Sequence, residues 1–134
     1  MQFQHQQIQG LEIVLDDEAL AWRATRHPGV HWIDLHPGPG AHAEGKPRDS
    51  TVLIRMAPGS GYPRHRHLDV EEVLILRGGY RDEQGEHRAG AYLRYEKDSE
   101  HTPIALGDPA RPTGPGNPSC ILFAVARGGV LNLH

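Results

Sequence analysis

Two histidines one residue apart, His65 and His67, are the residues most able to do chemistry in this chain, and Glu71 follows four positions later. Successive side chains of a β-strand point to opposite faces, so the His-x-His spacing directs both imidazoles to one side. The same parity places Glu71 on that side. A third imidazole, that of His101, would complete a donor set that zinc, iron, manganese or nickel accepts. The sequence therefore predicts a metal site formed by His65, His67, Glu71 and His101.

The elements that must position these side chains are short. Sixteen glycines and eleven prolines interrupt the 134-residue chain too often for long helices. Segments rich in Val, Ile, Leu and Tyr lie between them and predict strands at residues 8–15, 30–36, 51–57, 71–77, 91–95 and 120–126. Asp82 and Gly85 occupy the ends of a predicted hairpin turn. This pattern predicts an all-β, antiparallel sandwich or barrel.

Composition excludes several classes of partner. A formal net charge of -3 gives no basis for binding nucleic acid or an anionic membrane. The single cysteine, Cys120, cannot form an internal disulfide, and it begins an apolar strand where a free thiol is usually buried. No signal peptide or long apolar run is present. We therefore expect a single domain over residues 1–134, located in the cytoplasm.

Two segments have the composition of long loops, residues 37–49 and 107–118. Loops of this length inside a compact domain are commonly either functional or disordered. The second loop follows His101, so it is either a lid over a pocket or a disordered excursion.

The region around the His-x-His pair resembles the first motif of the cupins, a glycine, five residues, His-x-His, a glutamate and a glycine. Its elements are met by Gly59, His65, His67, Glu71 and Gly78. The resemblance places the first metal motif at residues 59–79.

The second cupin motif aligns with residues 90–105. Gly90 and His101 match it, whereas Glu96 and Asp98 replace the usual proline and glycine. Because two motifs agree in residue type and spacing, metal ligation is favoured over the alternative, a solvated strand edge with a chance His-x-His pair. Glu72 should face away from the site, although a β-bulge would exchange it with Glu71.

More narrowly, residues 58–103 resemble the ChrR-like cupin subgroup. The resemblance implies a double-stranded β-helix, or jelly-roll barrel, completed by N-terminal strands within residues 8–57 and holding one divalent metal. Proteins that resemble this subgroup include dioxygenases that cleave carbon–carbon bonds of acetylacetone and dihydroxyacetophenone. The subgroup itself includes the C-terminal domain of an anti-sigma factor.

The resemblance implies a mononuclear non-haem dioxygenase acting on a small, oxygen-chelating substrate of the β-diketone or hydroxyketone type. Fe2+ is favoured for such catalysis, with Zn2+, Mn2+ and Ni2+ as alternatives. A non-catalytic sensing or binding cupin, and a Lewis-acid isomerase or sugar-binding cupin, are the competing hypotheses. Cupins commonly form homodimers by exchanging an N-terminal strand, and residues 8–15 would serve.

Pocket residues are harder to identify, because the strands that form the core of a small barrel also line its cavity. The candidates are Arg55, Tyr62, Val73, Tyr92, Arg94 and Phe123. Five other histidines have no partner at ligand spacing and are predicted to lie on the surface: His27, His31, His36, His42 and His87.

Overall fold

The computed structural model of the chain describes residues 3–13, 19–35, 49–128 and the backbone of residues 130–132. Its strands are β1 (Phe3–Gln7), β2 (Arg23–Ala24), β3 (Val30–Asp34), β4 (Ser50–Met56), β5 (His65–His67), β6 (Glu71–Arg77), β7 (Gly79–Asp82), β8 (Gly85–Arg88), β9 (Ala91–Tyr95), β10 (Glu100–His101), β11 (Ile104–Ala105), β12 (Cys120–Ala126) and β13 (Val130–Asn132). In the described part of the chain, no helix is long and apolar enough to cross a membrane.

The strands form one large sheet and two small ones. The large sheet has the order β1-β9-β6-β12-β4-β3-β2, and the small sheets have the orders β10-β5-β13 and β11-β7-β8. Every described strand pair is antiparallel. Because sequence neighbours such as β5 and β6 lie in different sheets, the chain repeatedly crosses between layers. The fold is an all-β jelly roll, as predicted.

The core lies between the layers and follows the alternation of the strands. In β9, Ala91, Leu93 and Tyr95 are buried, and in β6 so are Val73 and Ile75. Fully burying such an aliphatic side chain contributes about 1.5–3 kcal/mol to folding. The core cluster also includes Tyr80 of β7 and Ala105 of β11, so it joins the large sheet to a small one.

The predicted strands agree with the structure where apolar residues alternate or run continuously. β6, β9 and β12 have the predicted bounds, and β3 and β4 differ from them by one or two residues. The hairpin turn is confirmed, because Asp82 pairs with Gly85 at the end of β7 and β8. The predicted loop at residues 37–49 lies outside the described residues except for Asp49.

The prediction of a strand over residues 8–15 is wrong for its described part, residues 8–13. The first strand is β1, which pairs with β9 at the edge of the large sheet, Phe3 opposite Tyr95. A turn follows, with Gly10 at a positive φ of 80°. Four of the five residues of β1 are polar and exposed, so backbone pairing rather than an apolar pattern defines this strand.

The loop over residues 107–118 is ordered around Asn117, which is 4% exposed. The side chain of Asn117 accepts a hydrogen bond from the Asp108 backbone N–H and donates to the carbonyls of Asp108, Arg111 and Pro112. One buried amide thus satisfies several backbone groups of the loop. None of these residues lines the cavity described below, so the loop does not cover that cavity in this structure.

Candidate metal centre

Two neighbouring strands of one small sheet supply the three histidines. β5 carries His65 and His67, and β10 pairs with it so that His101 lies directly opposite His65. The imidazole centroids of His65 and His101 are 4.5 Å apart, and those of His67 and His101 are 4.9 Å apart. All three residues are at most 5% exposed. The donor atoms of the four predicted ligands, Glu71 included, lie within 4.8 Å of one another.

Glu71 reaches this cluster by a route that differs from the predicted one. β5 ends at His67 and β6 begins at Glu71 in the large sheet, so the two strands do not share one alternating face. Glu71 instead points inward with Val73 and Ile75, the buried side chains of the same face of β6. Glu71 therefore lies in the cluster, as predicted, but it reaches the cluster because the chain crosses from one sheet to another, not because it shares a strand face with His65 and His67.

Each histidine of the cluster is held by an oxygen acceptor on its Nδ1 side. Nδ1 lies 3.1 Å from the Pro63 carbonyl in His65, 3.0 Å from the Ser99 carbonyl in His67 and 2.8 Å from Oδ2 of Asp82 in His101. A ring that donates from Nδ1 leaves its Nε2 lone pair free for a metal, which is how metal-binding histidines are commonly oriented.

His67 shows why a cation fits the site. Its Nδ1 faces the Ser99 carbonyl, while its Nε2 lies 2.9 Å from Oε1 of Glu71. The Ser99 hydroxyl, also near Nδ1, donates to the Glu96 carbonyl at 2.6 Å. A neutral imidazole has one proton and can donate to only one of these two acceptors, so only positive charge on the ring or beside it satisfies both. A cation held by His67 and Glu71 would supply that charge, so the residues fit a divalent transition metal.

The electrostatics of the cluster favour the forms that bind metal. Burial lowers the pKa of His65 to about 4, and repulsion from His101 acts in the same direction. His65 is therefore neutral at physiological pH. Burial alone would raise the pKa of Glu71, but the hydrogen bond and charge of His67, with the other imidazoles, lower it below its usual value. Glu71 is therefore an anion.

A cavity of about 470 Å³ opens beside the cluster, with His65, Glu71 and His101 in its wall. Tyr62 also lines it, and its ring lies between those of His27 and His65, with centroid distances of 5.1 Å and 6.2 Å. Burial and the charge of Glu71 raise the pKa of Tyr62 to about 12. Most of the remaining wall is apolar: Trp32, Val52, Ile54, Met56, Val73, Pro103, Leu122, Ala124 and Ala126.

Of the six pocket candidates, the structure brings Tyr62 and Val73 to the cavity and places the others elsewhere. Alternation is the reason, because the neighbours of the four excluded residues point inward instead. Arg55 stacks over the Trp22 ring at 4.9 Å, and the others are half-buried on the outer faces of β9 and β12: Tyr92, Arg94 and Phe123.

Two histidines predicted to lie on the surface are placed differently. His27 lines the cavity, and His87 is 5% exposed and hydrogen-bonded through Nε2 to Oδ1 of Asp82. His31 is half-buried in β3, while His36 and His42 lie outside the described residues. Sequence reasoning missed Asp82 and Ser99 as partners of the cluster, because only the packing of β7 and β10 brings Asp82 to His101.

An antiparallel jelly roll with three histidines and one glutamate converging beside an interior cavity defines a cupin with a candidate metal site. The chain belongs to the ChrR cupin-like domain family, which it matches over residues 11–110.

The anti-sigma-E factor ChrR of Cereibacter sphaeroides is 33% identical to this chain over 88 residues, which make up 66% of the chain and 37% of that protein. The chain therefore spans little more than a third of the length of this relative. The crystal structure of Rhodobacter sphaeroides SigE in complex with ChrR superposes with a TM-score of 0.60 at 28% identity, over 81% of this chain and 49% of the other.

An acetylacetone dioxygenase from Acinetobacter johnsonii has the same fold. Its structure gives a TM-score of 0.66 at 13% identity, covering 96% of this chain and 80% of that one. At this identity the likeness concerns the fold alone.

Proposed function

We propose that this protein is a mononuclear, non-haem, metal-dependent dioxygenase acting on a small substrate that chelates metal through two oxygens, of the β-diketone or hydroxyketone type. One observation carries the proposal: three of the four clustered donors, His65, Glu71 and His101, lie in the wall of a cavity of about 470 Å³ whose other walls are mostly apolar. This volume falls within the range of small-molecule sites. A site that only stabilised the fold would need no such cavity.

The chemistry of the site depends on which metal the donor set holds. The four donors that would hold Fe2+ are His65, His67, Glu71 and His101, and the ion would supply a redox-active Lewis acid. Zn2+, Mn2+ and Ni2+ suit the same donors but lead to different chemistry. Elemental analysis of protein purified without added metal tests which ion is resident.

The protein contributes more than ligands. The apolar wall formed by Trp32, Ile54 and Leu122 excludes water from the reacting part of the substrate and strengthens local electrostatics. Tyr62 keeps its phenolic proton at neutral pH, as an ordinary tyrosine does, and its pKa is raised further, to about 12. It can therefore donate a hydrogen bond from Oη to an enolate oxygen of the substrate.

Anaerobic reconstitution with Fe2+ tests the proposal. A panel of β-diketones and hydroxyketones is then supplied with air, and oxygen uptake is followed beside product formation. We expect uptake with at least one substrate, none for His67→Ala, and none for protein loaded with Zn2+. Conversion that proceeds without oxygen would assign a Lewis-acid isomerase instead. No uptake by any reconstituted sample would contradict the oxygenase.

A metal-dependent sensing module is a second candidate, supported by the 33% identity to an anti-sigma factor. In this case the cavity would bind an effector or oxidant, and this binding would change the affinity for a protein partner. Peroxide treatment of metal-loaded protein, followed by metal release and pull-down of partners from cell extract, tests it. Sensing without turnover predicts a changed partner set and no oxygen-consuming reaction.

We also propose a homodimer. β1 pairs with β9 on one side and with no described strand on the other, so its outer edge presents unpaired backbone groups. Unpaired edges are commonly covered by a second chain. Light scattering should give twice the mass of the 14.8 kDa chain, and a monomer mass would contradict this.

A further inference from the structure

Asp82 is a fully buried carboxylate behind the candidate metal centre, at the end of β7. Both of its oxygens are occupied. Oδ2 accepts hydrogen bonds from His101 Nδ1 and Tyr95 Oη, each at 2.8 Å. Oδ1 accepts from His87 Nε2 and from the Gln84 backbone N–H, each at 2.9 Å. The carboxylate therefore faces donors only, which is the arrangement that stabilises its charge.

We propose that Asp82 is a positioning residue that fixes the tautomer of His101, holding the proton on Nδ1 so that Nε2 presents its lone pair to the other three donors. The inference rests on the metal-binding part of the proposed function. It extends that function by naming a residue that touches neither metal nor substrate yet controls a ligand.

The hydrogen bonds of Asp82 differ in whether the partner can reverse its role. The Gln84 N–H on Oδ1 belongs to the backbone and can only donate. On Oδ2, His101 can move its proton from Nδ1 to Nε2 and become an acceptor. Tyr95 can also reverse, because its hydroxyl lies 2.6 Å from that of Tyr80 and either one can donate.

This asymmetry makes Asp82→Asn a specific test. An asparagine must aim its oxygen at the Gln84 N–H, because its amide nitrogen there would oppose a donor that cannot change. The amide nitrogen then faces His101 and donates to Nδ1. His101 would carry its proton on Nε2, the atom that must be free for a metal.

The tautomer is measured in metal-free protein by nitrogen NMR of ¹⁵N-histidine-labelled samples, with His101 assigned by loss of its signals in His101→Gln. We expect the Nδ1–H form in the natural protein and the Nε2–H form in D82N. The Kd for Co2+, measured by competition with a chromophoric chelator, should rise about 10–100-fold in D82N, the usual cost of losing such a partner.

His87→Gln is the matched control. It alters the partner of Oδ1 but leaves the bond between Oδ2 and His101 in place, so the His101 tautomer and the Kd for Co2+ should stay unchanged. Thermal midpoints of metal-free samples show whether each variant is folded. A general loss of stability would change the Kd for Co2+ in both variants, whereas the change of tautomer raises that Kd in D82N alone.

Two results would overturn the inference. One is a folded D82N with an Nδ1–H His101 and an unchanged Kd for Co2+. The other is an Nε2–H His101 in the natural metal-free protein, which decides the matter even if D82N fails to fold. Neither measurement uses substrate or oxygen, so a failed oxygenase assay would count against the proposed function and leave this inference standing.

Discussion

Glu71 and Glu72 are adjacent in β6 but face opposite sides of the large sheet. Glu71 lies 2.9 Å from His67 Nε2 in the metal-ligand cluster. Glu72 pairs in register with Arg94 of β9, whose side chain points outward, and shares a side-chain hydrogen bond with Tyr92. The β-bulge that would have exchanged the two glutamates does not occur at this end of β6. The pairing of β6 with β12 is irregular between Ile121 and Leu122 of β12, next to Arg77 at the opposite end of β6.

This pair provides a matched test of the metal site. Glu71→Gln keeps the size of the side chain but removes the anion from among three imidazoles. Because losing a residue that only supports a ligand costs up to about 100-fold in metal affinity, losing the ligand itself should raise the Kd for Co2+ by more than that. Glu72→Gln removes the same charge from the outer face and should leave the Kd unchanged. Chelator competition at pH 7.5 measures both. Equal effects would show that net charge, rather than ligation, controls binding.

The ligand set could be predicted from the sequence, but the reason for one member was incomplete. His65 and His67 do share a strand face, as parity requires. Glu71 belongs to another sheet, so its agreement with the prediction comes from the cupin motif rather than from alternation along one strand. Alternation predicts side-chain direction only within one continuous strand, and β5 ends before the crossing at residues 68–70.

Other features depend on contacts between segments distant in sequence. The sequence predicts Asp82 as an ordinary turn residue. It does have that role, because its side chain accepts a hydrogen bond from the Gln84 N–H. Its second role needs the packing of β7 against His101, 19 residues later. Asn117 likewise reads as loop composition, although its side chain organises the loop. Such roles depend on tertiary contacts, whereas propensity and periodicity describe only local structure.

Cys120 gives a prediction about pH. The thiol is fully buried, and burial raises its pKa to about 12, from an ordinary value near 9.0. Because the thiolate is the reactive form, the native protein should react very slowly with a thiol reagent at pH 8 and rapidly once unfolded in urea. Rapid reaction of the native protein would contradict the burial of this side chain.

The same pKa difference links stability to pH. The folded state retains the proton to higher pH than the unfolded state does, so this contribution is fully present below pH 9 and is lost as the pH rises towards 12. Between pH 8 and pH 10 the free energy of unfolding should fall by about 1 kcal/mol more in the natural protein than in Cys120→Ala. Urea denaturation at both pH values measures the difference. The same fall in the free energy of unfolding in both proteins would refute the prediction.

Tyr62 offers a test of the cavity that is separate from metal binding. Its ring lies between His27 and His65, and its hydroxyl is neutral at assay pH, so it is placed to donate to a chelating substrate. Tyr62→Phe should lower kcat/KM by about tenfold or more, since a hydrogen bond to a charged oxygen contributes about 1.5–3 kcal/mol. The Kd for Co2+ should not change, because Tyr62 is not one of the four donors.

Tyr92→Phe is the control: it removes a tyrosine hydroxyl from the outer face of β9 and should leave both kcat/KM and the Kd for Co2+ unaltered. Equal kcat/KM values for the two variants would mean that substrate does not approach Tyr62, and the region of the cavity near Trp32 would then be the place to look for its contacts.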